Sequence, residues 1–187
     1  MADIKQWLKS QFPVLESERL ILRRLEPGDI EALYSCMTDP AVLRHTAVGP
    51  AKLLFPDRLY RYFEEAYRSL RDLHFVLEHK HEHHLIGLCS LQYWTPSSGQ
   101  ARLGYMVSPL YWNQGLATEA VKTVFEFGHD TLGLTKVEAR CSADNPASEH
   151  VLQKCGMCYI SHLPASKGLN GEEIPVKLYR REWEKGE

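Results

Sequence analysis

The spacing of hydrophobic and polar residues predicts a series of helices and strands in the first half of the chain. An apolar run at residues 19–25 indicates a first strand. Residues 30–37 and 57–70 then carry apolar side chains three and four positions apart, which is the period of helices with one buried face. Shorter apolar runs predict three consecutive strands, at residues 74–78, 85–93 and 101–107.

The second half of the chain continues this alternation. A long amphipathic segment predicts a helix over residues 115–132, with a buried stripe formed by Ala117, Ala120, Val121, Val124, Phe125 and Gly128. One strand, one helix and two strands follow, at residues 136–141, 145–156, 159–163 and 174–181. The order βααβββαβαββ predicts an α/β fold, a single domain over residues 16–182 with a mixed, mostly antiparallel sheet flanked by helices. Residues 1–15 are expected to form an N-terminal extension with one short helix around Trp7 and Leu8.

Composition and charge argue against several classes of function. The 22 Lys and Arg residues are balanced by 24 Asp and Glu residues, so the formal net charge is −2 and sequence-independent nucleic-acid binding is not expected. The longest apolar run is far shorter than the roughly 18–20 residues that span a membrane. The first residues contain no apolar core of a secretory signal. We therefore expect a cytoplasmic protein with neither a nucleic-acid nor a membrane partner.

Neither the cysteines nor a histidine-rich segment predicts a metal site. Five cysteines lie scattered in apolar segments, as buried thiols of a cytosolic protein do: Cys36, Cys89, Cys141, Cys155 and Cys158. The last two have CxxC spacing, but no second pair of this kind accompanies them. Four histidines fall in a polar stretch that is more typical of a solvated hairpin turn than of a chelating site: His79, His81, His83 and His84. We expect no bound metal.

The start of the long helix is the segment that suggests chemistry. A predicted strand ends at Val107, and after a short loop small residues open the helix at Gly115. A helix start offers unpaired backbone N–H groups and the positive end of the helix dipole, and both favour a phosphate. Gly115 has no Cβ to obstruct an anion, and Ala117 and Thr118 are small, so the N–H groups of residues 114–118 are candidates for binding a pyrophosphate. An ordinary helix start is the alternative interpretation, because neither the Rossmann nor the P-loop glycine pattern is present.

Three segments carry a recognisable pattern: ERLILRRLEPGD at residues 18–29, YWNQGLATEA at 111–120 and NPASEHVLQKCG at 145–156. In this order they resemble the GCN5-related N-acetyltransferases (the GNAT family), and in particular its ribosomal-protein alanine acetyltransferase branch. The similarity extends over roughly residues 16–182. It implies a splayed sheet whose gap holds the pantetheine arm of acetyl-CoA, the cosubstrate, and direct attack of a neutral amine on the thioester. The implied cofactor-binding residues are Met106, Val107, Gln114, Gly115, Leu116, Ala117, Thr118 and Asn145, and the implied catalytic residue near the thiol is Ser148.

At three positions the sequence departs from the family pattern. Trp112 stands where many relatives carry Arg or Gln, Leu152 where many carry a Tyr general acid, and Arg102 where a Glu is frequent. Ser148 is therefore the remaining candidate for proton transfer to the thiolate. The general base stays open between Glu78, Glu82, His74 and a chain of water molecules.

The expected activity is transfer of the acetyl group to a primary amine, either a protein N-terminal α-amine or a small-molecule amine. A non-catalytic acyl-CoA-binding or sensing domain and an acyltransferase for a longer acyl chain are the alternatives. Exposed strand edges make a homodimer a further expectation. Four aromatic residues are candidates either for the core or for an acceptor groove: Tyr93, Trp94, Tyr105 and Trp112.

Overall fold

One mixed sheet of eight strands forms the centre of the molecule. The structure is a computed structural model, and it describes residues 2–45, 55–167 and 172–183. The strands lie in the order β1-β2-β3-β4-β5-β6-β8-β7. Their bounds are Leu15–Glu16 (β1), Leu20–Arg23 (β2), Leu73–His79 (β3), His84–Thr95 (β4), Gln100–Val107 (β5), Lys136–Ser142 (β6), Cys158–Lys167 (β7) and Glu173–Glu182 (β8). Within the described residues, β5 and β6 form the one parallel pair, and all other neighbours are antiparallel.

Helices cover both faces of this sheet. Their bounds are Ala2–Ser10 (α1), Ile30–Thr38 (α2), Pro40–Leu43 (α3), Pro56–Ser69 (α4), Leu116–Asp130 (α5) and Pro146–Lys154 (α6). Three of them, α3, α4 and α6, begin with a proline, whose fixed φ and missing N–H suit the first helical position. No helix among the described residues is long and apolar enough to cross a membrane.

Two hydrophobic clusters fill the space between the sheet and the helices. Phe75 of β3 belongs to the cluster that includes Val124 of α5, whereas the next residue, Val76, belongs to the cluster that includes Leu33 of α2 and Phe63 of α4. Successive strand side chains point to opposite faces, so both faces of β3 are covered. This explains why β3 is buried at five consecutive positions instead of alternating.

The predicted fold class is confirmed. Every predicted element is present in the order βααβββαβαββ, with ends that differ by a few residues, and the short helix near Leu8 is also present. The short elements α3 and β1 were not predicted. Leu8 is 2% exposed and lies in the same cluster as α5, so the N-terminal helix packs against the main core. The expectation of five buried thiols was wrong at Cys158, which is exposed because it begins the edge strand β7.

The sheet opens between β5 and β6. Their parallel ladder runs from Gln100 opposite Lys136 to Leu103 opposite Ala139 and then stops. Both strands continue past this point, β5 as Gly104–Val107 and β6 as Arg140–Ser142, without pairing to each other. On its other side β5 stays paired with β4 up to Val107. The result is a gap in the sheet, bordered by the carboxyl ends of two parallel strands.

Candidate functional site

The long helix α5 begins at the open end of this gap. Gly115 precedes its first residue and has φ +79° and ψ 0°, a left-handed conformation that glycine adopts without strain. The first backbone hydrogen bond of the helix joins the Glu119 N–H to the Gly115 carbonyl. The N–H groups of residues 116–118 therefore have no acceptor within the helix. A Cβ placed on Gly115 would have one neighbour within 4 Å, an Arg19 guanidinium nitrogen at 3.6 Å. The helix start is thus open and carries free donors, a combination that favours an anion such as a phosphate.

Residues from the N-terminal part of the chain fix this helix start. Glu119 accepts hydrogen bonds through Oε1 from the Ser17 hydroxyl (2.8 Å) and the Arg19 backbone N–H (2.7 Å), and through Oε2 from Arg19 Nε (2.8 Å). Arg19 Nη1 also donates to the Gln114 carbonyl at 2.9 Å, which ties the preceding loop to the same network. Seen locally, Glu119 is a carboxylate in the first turn of α5, where it offsets the helix dipole. Its partners lie about a hundred positions earlier in the chain, so no local pattern indicates them.

The loop between β5 and α5 closes back on the strand that it leaves. The indole Nε1–H of Trp112 donates to the Val107 carbonyl at 2.7 Å, and Trp112 is 40% exposed. Asn113 has φ +61°, so the backbone turns sharply twice before the helix begins. Trp112 therefore fastens the loop to the end of β5.

The predicted cofactor-binding residues lie together along this path. Val107 and Leu116 have buried side chains, so a ligand could reach them only through their backbone groups. The others are partly or fully exposed: Met106, Gln114, Gly115, Ala117 and Thr118.

The far side of the gap carries Asn145 and Ser148. Asn145 caps helix α6, because its Oδ1 accepts the Ser148 backbone N–H at 3.0 Å, and Pro146 occupies the first helical position. The Ser148 hydroxyl lies 2.8 Å from the hydroxyl of Tyr105, which comes from the part of β5 that is not paired with β6. The structure thus brings both predicted residues to the gap and adds a tyrosine that sequence reasoning considered only as a core or groove aromatic.

Comparison with known proteins identifies the family. A family model described as "Acetyltransferase (GNAT) domain" matches residues 19–158. The chain belongs to the GNAT acetyltransferases. The uncharacterized N-acetyltransferase YoaA of Bacillus subtilis (strain 168) is 30% identical over 169 residues, which cover 90% of this chain and 96% of that protein.

Solved structures share the fold of this acetyltransferase. One is the spermidine N-acetyltransferase of Vibrio cholerae in complex with CoA and spermine, with a TM-score of 0.81 at 22% identity over 90% of this chain and 98% of that one. Another is the ribosomal-protein-S5-alanine acetyltransferase of Vibrio fischeri, with a TM-score of 0.82 at 17% identity over 94% and 99% of the two chains. Family membership makes this chain an acetyl-CoA-dependent N-acetyltransferase with acetyl-CoA as cosubstrate.

The candidate bases of the acetyltransferase are all engaged by other groups. Glu78 accepts Arg23 Nε at 2.7 Å, and the same guanidinium pairs with Asp29. Glu82 lies in the turn between β3 and β4, where its carboxylate accepts the hydroxyl of Tyr111. Glu78 is thus held in an ion-pair cluster, and Glu82 is tied to the loop that precedes α5.

His74, the third candidate base, is buried. It is 2% exposed, its Nδ1 lies 2.7 Å from the Ser90 hydroxyl, and its ring contacts that of Phe63 at 4.8 Å. Burial lowers the pKa of His74 to about 4, so the imidazole is neutral at physiological pH. It is therefore a weak base for an ammonium ion.

The aromatic residues divide between core and surface. Trp94 is 3% exposed and belongs to the core. Tyr93 is half exposed, and the guanidinium groups of Arg71 and Arg102 lie over its ring with centroid distances of 5.1 and 4.8 Å. Arg102 thus packs on an aromatic ring. Among the described residues, no group of three or more His, Cys, Asp or Glu side chains could hold a metal ion.

A cavity lies at the carboxyl end of β6 and the start of β8. Its volume is about 400 Å³, and three of its lining side chains are acidic and one is basic. The lining residues are Arg44, Ala143, Asp144, Glu172, Glu173, Ile174 and Pro175. Because the lining carboxylates outnumber the guanidinium group, this cavity favours a positively charged ligand.

Proposed function

We propose that this acetyltransferase transfers the acetyl group of acetyl-CoA to a primary amine, and that a protein N-terminal α-amine is its acceptor. One observation carries the assignment of the site. The gap between β5 and β6 has the open helix start at Gly115 at its mouth and the hydroxyls of Tyr105 and Ser148 inside. The resemblance to the ribosomal-protein alanine acetyltransferases and the structural likeness to an enzyme of that name support the acceptor.

The residues that face the gap divide the work of holding the cosubstrate. The N–H groups of residues 114–118 would bind the pyrophosphate, and the backbone of Met106 and Val107 would bond the pantetheine arm. Asn145 would contact the pantetheine or adenosine portion while it caps α6. The thioester of acetyl-CoA supplies the activated acyl group, and the chain's contribution is to orient it and to donate hydrogen bonds where charge develops.

Ser148 is the catalytic residue in this proposal. Its hydroxyl lies at the first turn of α6, where the helix dipole favours negative charge nearby. A serine hydroxyl at this place can donate a hydrogen bond to the sulfur as the thiolate leaves. Leu152, one turn further along α6, is 1% exposed and has no proton to donate.

A small cationic amine, such as a polyamine, is the second candidate acceptor. The acidic cavity at Asp144 and Glu173 favours it, because it would attract a second ammonium group of the same molecule. The spermidine N-acetyltransferase of Vibrio cholerae is about as similar in fold as the ribosomal-protein enzyme. The two acceptors differ in the charge that flanks the reacting amine, so competition between them shows which of the two the acceptor site prefers.

Isothermal titration with acetyl-CoA, with ADP and NAD as controls, is the first test. We expect selective binding with a dissociation constant on the order of micromolar, about −8 kcal/mol. Acetyl transfer is then measured on a library of N-terminal peptides and on spermidine. Transfer to peptides but not to spermidine supports the first acceptor, and the reverse supports the second. Binding without transfer to any amine would favour an acyl-CoA-sensing domain, and a series of acyl chain lengths tests for a larger acyl group.

Gly115→Glu tests the position of the pyrophosphate. The variant places a side chain and a negative charge in the open space at the helix start, so we expect loss of measurable acetyl-CoA binding. Gly133→Glu is the matched control, because Gly133 also has a positive φ (+67°), is open on all sides and follows the other end of α5. Equal affinities of a folded Gly115→Glu variant and the wild type would contradict the assignment.

Three further expectations belong to this proposal. We propose that residues 16–182 are the catalytic domain and that residues 1–15 are an extension packed on it. A cytoplasmic location is supported by the five cysteines, none of which forms a disulfide. A homodimer is a prediction that sedimentation equilibrium can check, since β7 forms an edge of the sheet among the described residues.

A further inference from the structure

A hydrogen-bonded bridge crosses the gap between β5 and α6. Tyr105 follows Leu103, the last residue of β5 that pairs with β6, by two positions and lies on the same face as Leu103 and Val107. Its hydroxyl lies 2.8 Å from Ser148 Oγ and 3.2 Å from the Ser148 carbonyl oxygen. The bridge therefore joins the two sides of the gap at the residue that the proposed function makes catalytic.

The single hydrogen of the Tyr105 hydroxyl decides where the Ser148 hydrogen can go. If Tyr105 donates to the Ser148 carbonyl, the 2.8 Å contact must use the hydrogen of Ser148 itself, and none is left for the sulfur. If Tyr105 donates to Ser148 Oγ, the Ser148 hydrogen is free to point into the gap. A negative charge in the gap selects the second arrangement, because the free hydrogen can then donate to it.

The surroundings of Tyr105 keep its hydroxyl protonated. Burial raises the pKa of Tyr105, and the bond to Ser148 lowers it by less. The neighbouring thiols of Cys89, Cys141 and Cys155 also have pKa values raised by burial, to about 11 for the last two. Tyr105 is thus a neutral hydrogen-bond donor over the whole pH range in which an amine acceptor titrates.

We propose that Tyr105 is a positioning residue that orients the Ser148 hydroxyl so that its hydrogen faces the departing sulfur. This inference rests on the proposed role of Ser148. In the reaction the amine nitrogen forms the new C–N bond, the C–S bond breaks with its electron pair kept by sulfur, and the proton of the amine passes to solvent. Ser148 keeps its proton and donates a hydrogen bond to the thiolate, and Tyr105 holds Ser148 in the rotamer and hydrogen orientation that allow this.

The test uses coenzyme A alone and requires no acceptor. The pKa of the bound thiol is measured from the ultraviolet absorbance of the thiolate, with the spectrum of the ligand-free protein subtracted at each pH. A hydrogen bond to the thiolate lowers this pKa, so we expect values about one unit higher in Ser148→Ala and in Tyr105→Phe than in the wild type, a tenfold change in the thiolate-to-thiol ratio. In the double variant we expect the same value as in Ser148→Ala alone, since Tyr105 acts through Ser148.

Tyr67→Phe is the matched control. Tyr67 is also a buried tyrosine whose hydroxyl bonds two backbone groups, the Leu25 N–H and the His74 carbonyl, both at 3.0 Å, but it lies in the other hydrophobic cluster. We expect this variant to lose stability and to leave the thiol pKa unchanged. Thermal unfolding of all variants shows whether they are folded.

The outcomes separate the inference from the proposal on which it rests. A wild-type thiol pKa in Tyr105→Phe, together with a raised value in Ser148→Ala, would overturn the role of Tyr105 and leave Ser148 in place. A wild-type value in Ser148→Ala would overturn both roles. Equal shifts in Tyr105→Phe and Tyr67→Phe would reduce the effect of Tyr105 to general stability and would also overturn the inference. With an active acceptor in hand, Tyr105→Phe should lower kcat about tenfold and leave the KM for acetyl-CoA unchanged.

Discussion

Replacing Glu119 by Gln tests whether the segment between β1 and β2 fixes the first turn of helix α5, the proposed pyrophosphate site. The side chain of Glu119 is 15% exposed, and its two carboxylate oxygens accept bonds from the Ser17 hydroxyl, the Arg19 N–H and the Arg19 guanidinium. Gln has the same shape but carries no charge and has one acceptor oxygen in place of two. The variant therefore removes the ion pair with Arg19. It also places an amide N–H₂ group, itself a donor, next to donors of Ser17 or Arg19.

The magnitude follows from the number and exposure of these bonds. Hydrogen bonds to charged groups contribute about 1.5–3 kcal/mol each, but Arg19 is 37% exposed and water replaces part of what it loses. We expect the free energy of unfolding to fall by about 2 kcal/mol, which corresponds to a decrease of about 4–8 °C in melting temperature for a domain of this size.

The loss of stability in Glu119→Gln should depend on pH, and it should be larger at neutral than at acidic pH. Burial alone would raise the pKa of Glu119, but the Arg19 N–H, the Ser17 hydroxyl and the Arg19 guanidinium outweigh it and lower the pKa overall. A group whose pKa is lowered by folding stabilises the protein above its unfolded pKa, about 4.3 for Glu, and loses this effect as the pH falls through the folded value. The difference between wild type and Glu119→Gln should be complete at neutral pH and shrink below about pH 4.

Binding of coenzyme A gives a second readout. In Arg19→Met the Glu119 carboxylate stays at the helix start without its counter-ion and repels the pyrophosphate. We therefore expect a dissociation constant about tenfold higher in Arg19→Met, a larger effect than in Glu119→Gln. Urea unfolding and isothermal titration measure the two quantities, and Glu126→Gln, an exposed position on the same helix, is the control. If Glu119→Gln unfolds like Glu126→Gln, or if Arg19→Met binds coenzyme A as the wild type does, the network does not have this role.

Two further predictions concern the sheet and the base. Gly87→Ala places a Cβ 2.3 Å from the Met106 carbonyl oxygen, so urea unfolding should show a free energy of unfolding lower by roughly 2–4 kcal/mol. Gly28→Ala is the control, because its Cβ would have nothing within 4 Å, and it should change this free energy by less than about 0.5 kcal/mol. Equal effects of the two variants would refute the close approach of β4 and β5. Glu78 and His74 are bonded to other groups, so we expect no base on the protein and a kcat/KM that rises with pH up to the pKa of the acceptor amine. This pKa is near 8 for an α-amine and near 10 for an alkylamine. A kcat/KM profile with the same midpoint pH for both acceptors would instead reveal a base on the protein.

Local patterns in the sequence were sufficient for the elements of the fold. The helices at residues 57–70 and 115–132 were predictable because their apolar side chains repeat every three or four positions, and each has one buried face. The capping of α6 by Asn145 was predictable for the same reason, since the Asn-Pro pair acts within one turn. The short helix α3 was missed because it has only four residues and follows α2 after one residue, so the period shows no break.

Contacts between distant segments could not be predicted in this way. Arg19 and Glu119 are a hundred positions apart, and Tyr105 and Ser148 are 43 apart. Each of these residues has an ordinary local explanation. Arg19 can be a strand residue and Glu119 a carboxylate that offsets the helix dipole. Tyr105 can be a core aromatic and Ser148 a serine at a helix start. Their pairing follows from the sheet order, which places β2 beside β3 and leaves β5 and β6 apart beyond Leu103.

The distribution of hydrogen bonds indicates which half of the reaction the chain supports. On the acyl-donor side, separate segments converge, with Arg19 holding the loop before Gly115 and Tyr105 holding Ser148 across the gap. On the acceptor side, the titratable groups considered as bases already have partners, Arg23 for Glu78, Tyr111 for Glu82 and Ser90 for His74. A chain that orients the thioester and stabilises the leaving thiolate, but leaves deprotonation of the amine to water, lowers the barrier mainly through position and electrostatics. Such an enzyme should discriminate among acceptors by the charge around the amine, which is the property that the acidic cavity beside β6 can sense.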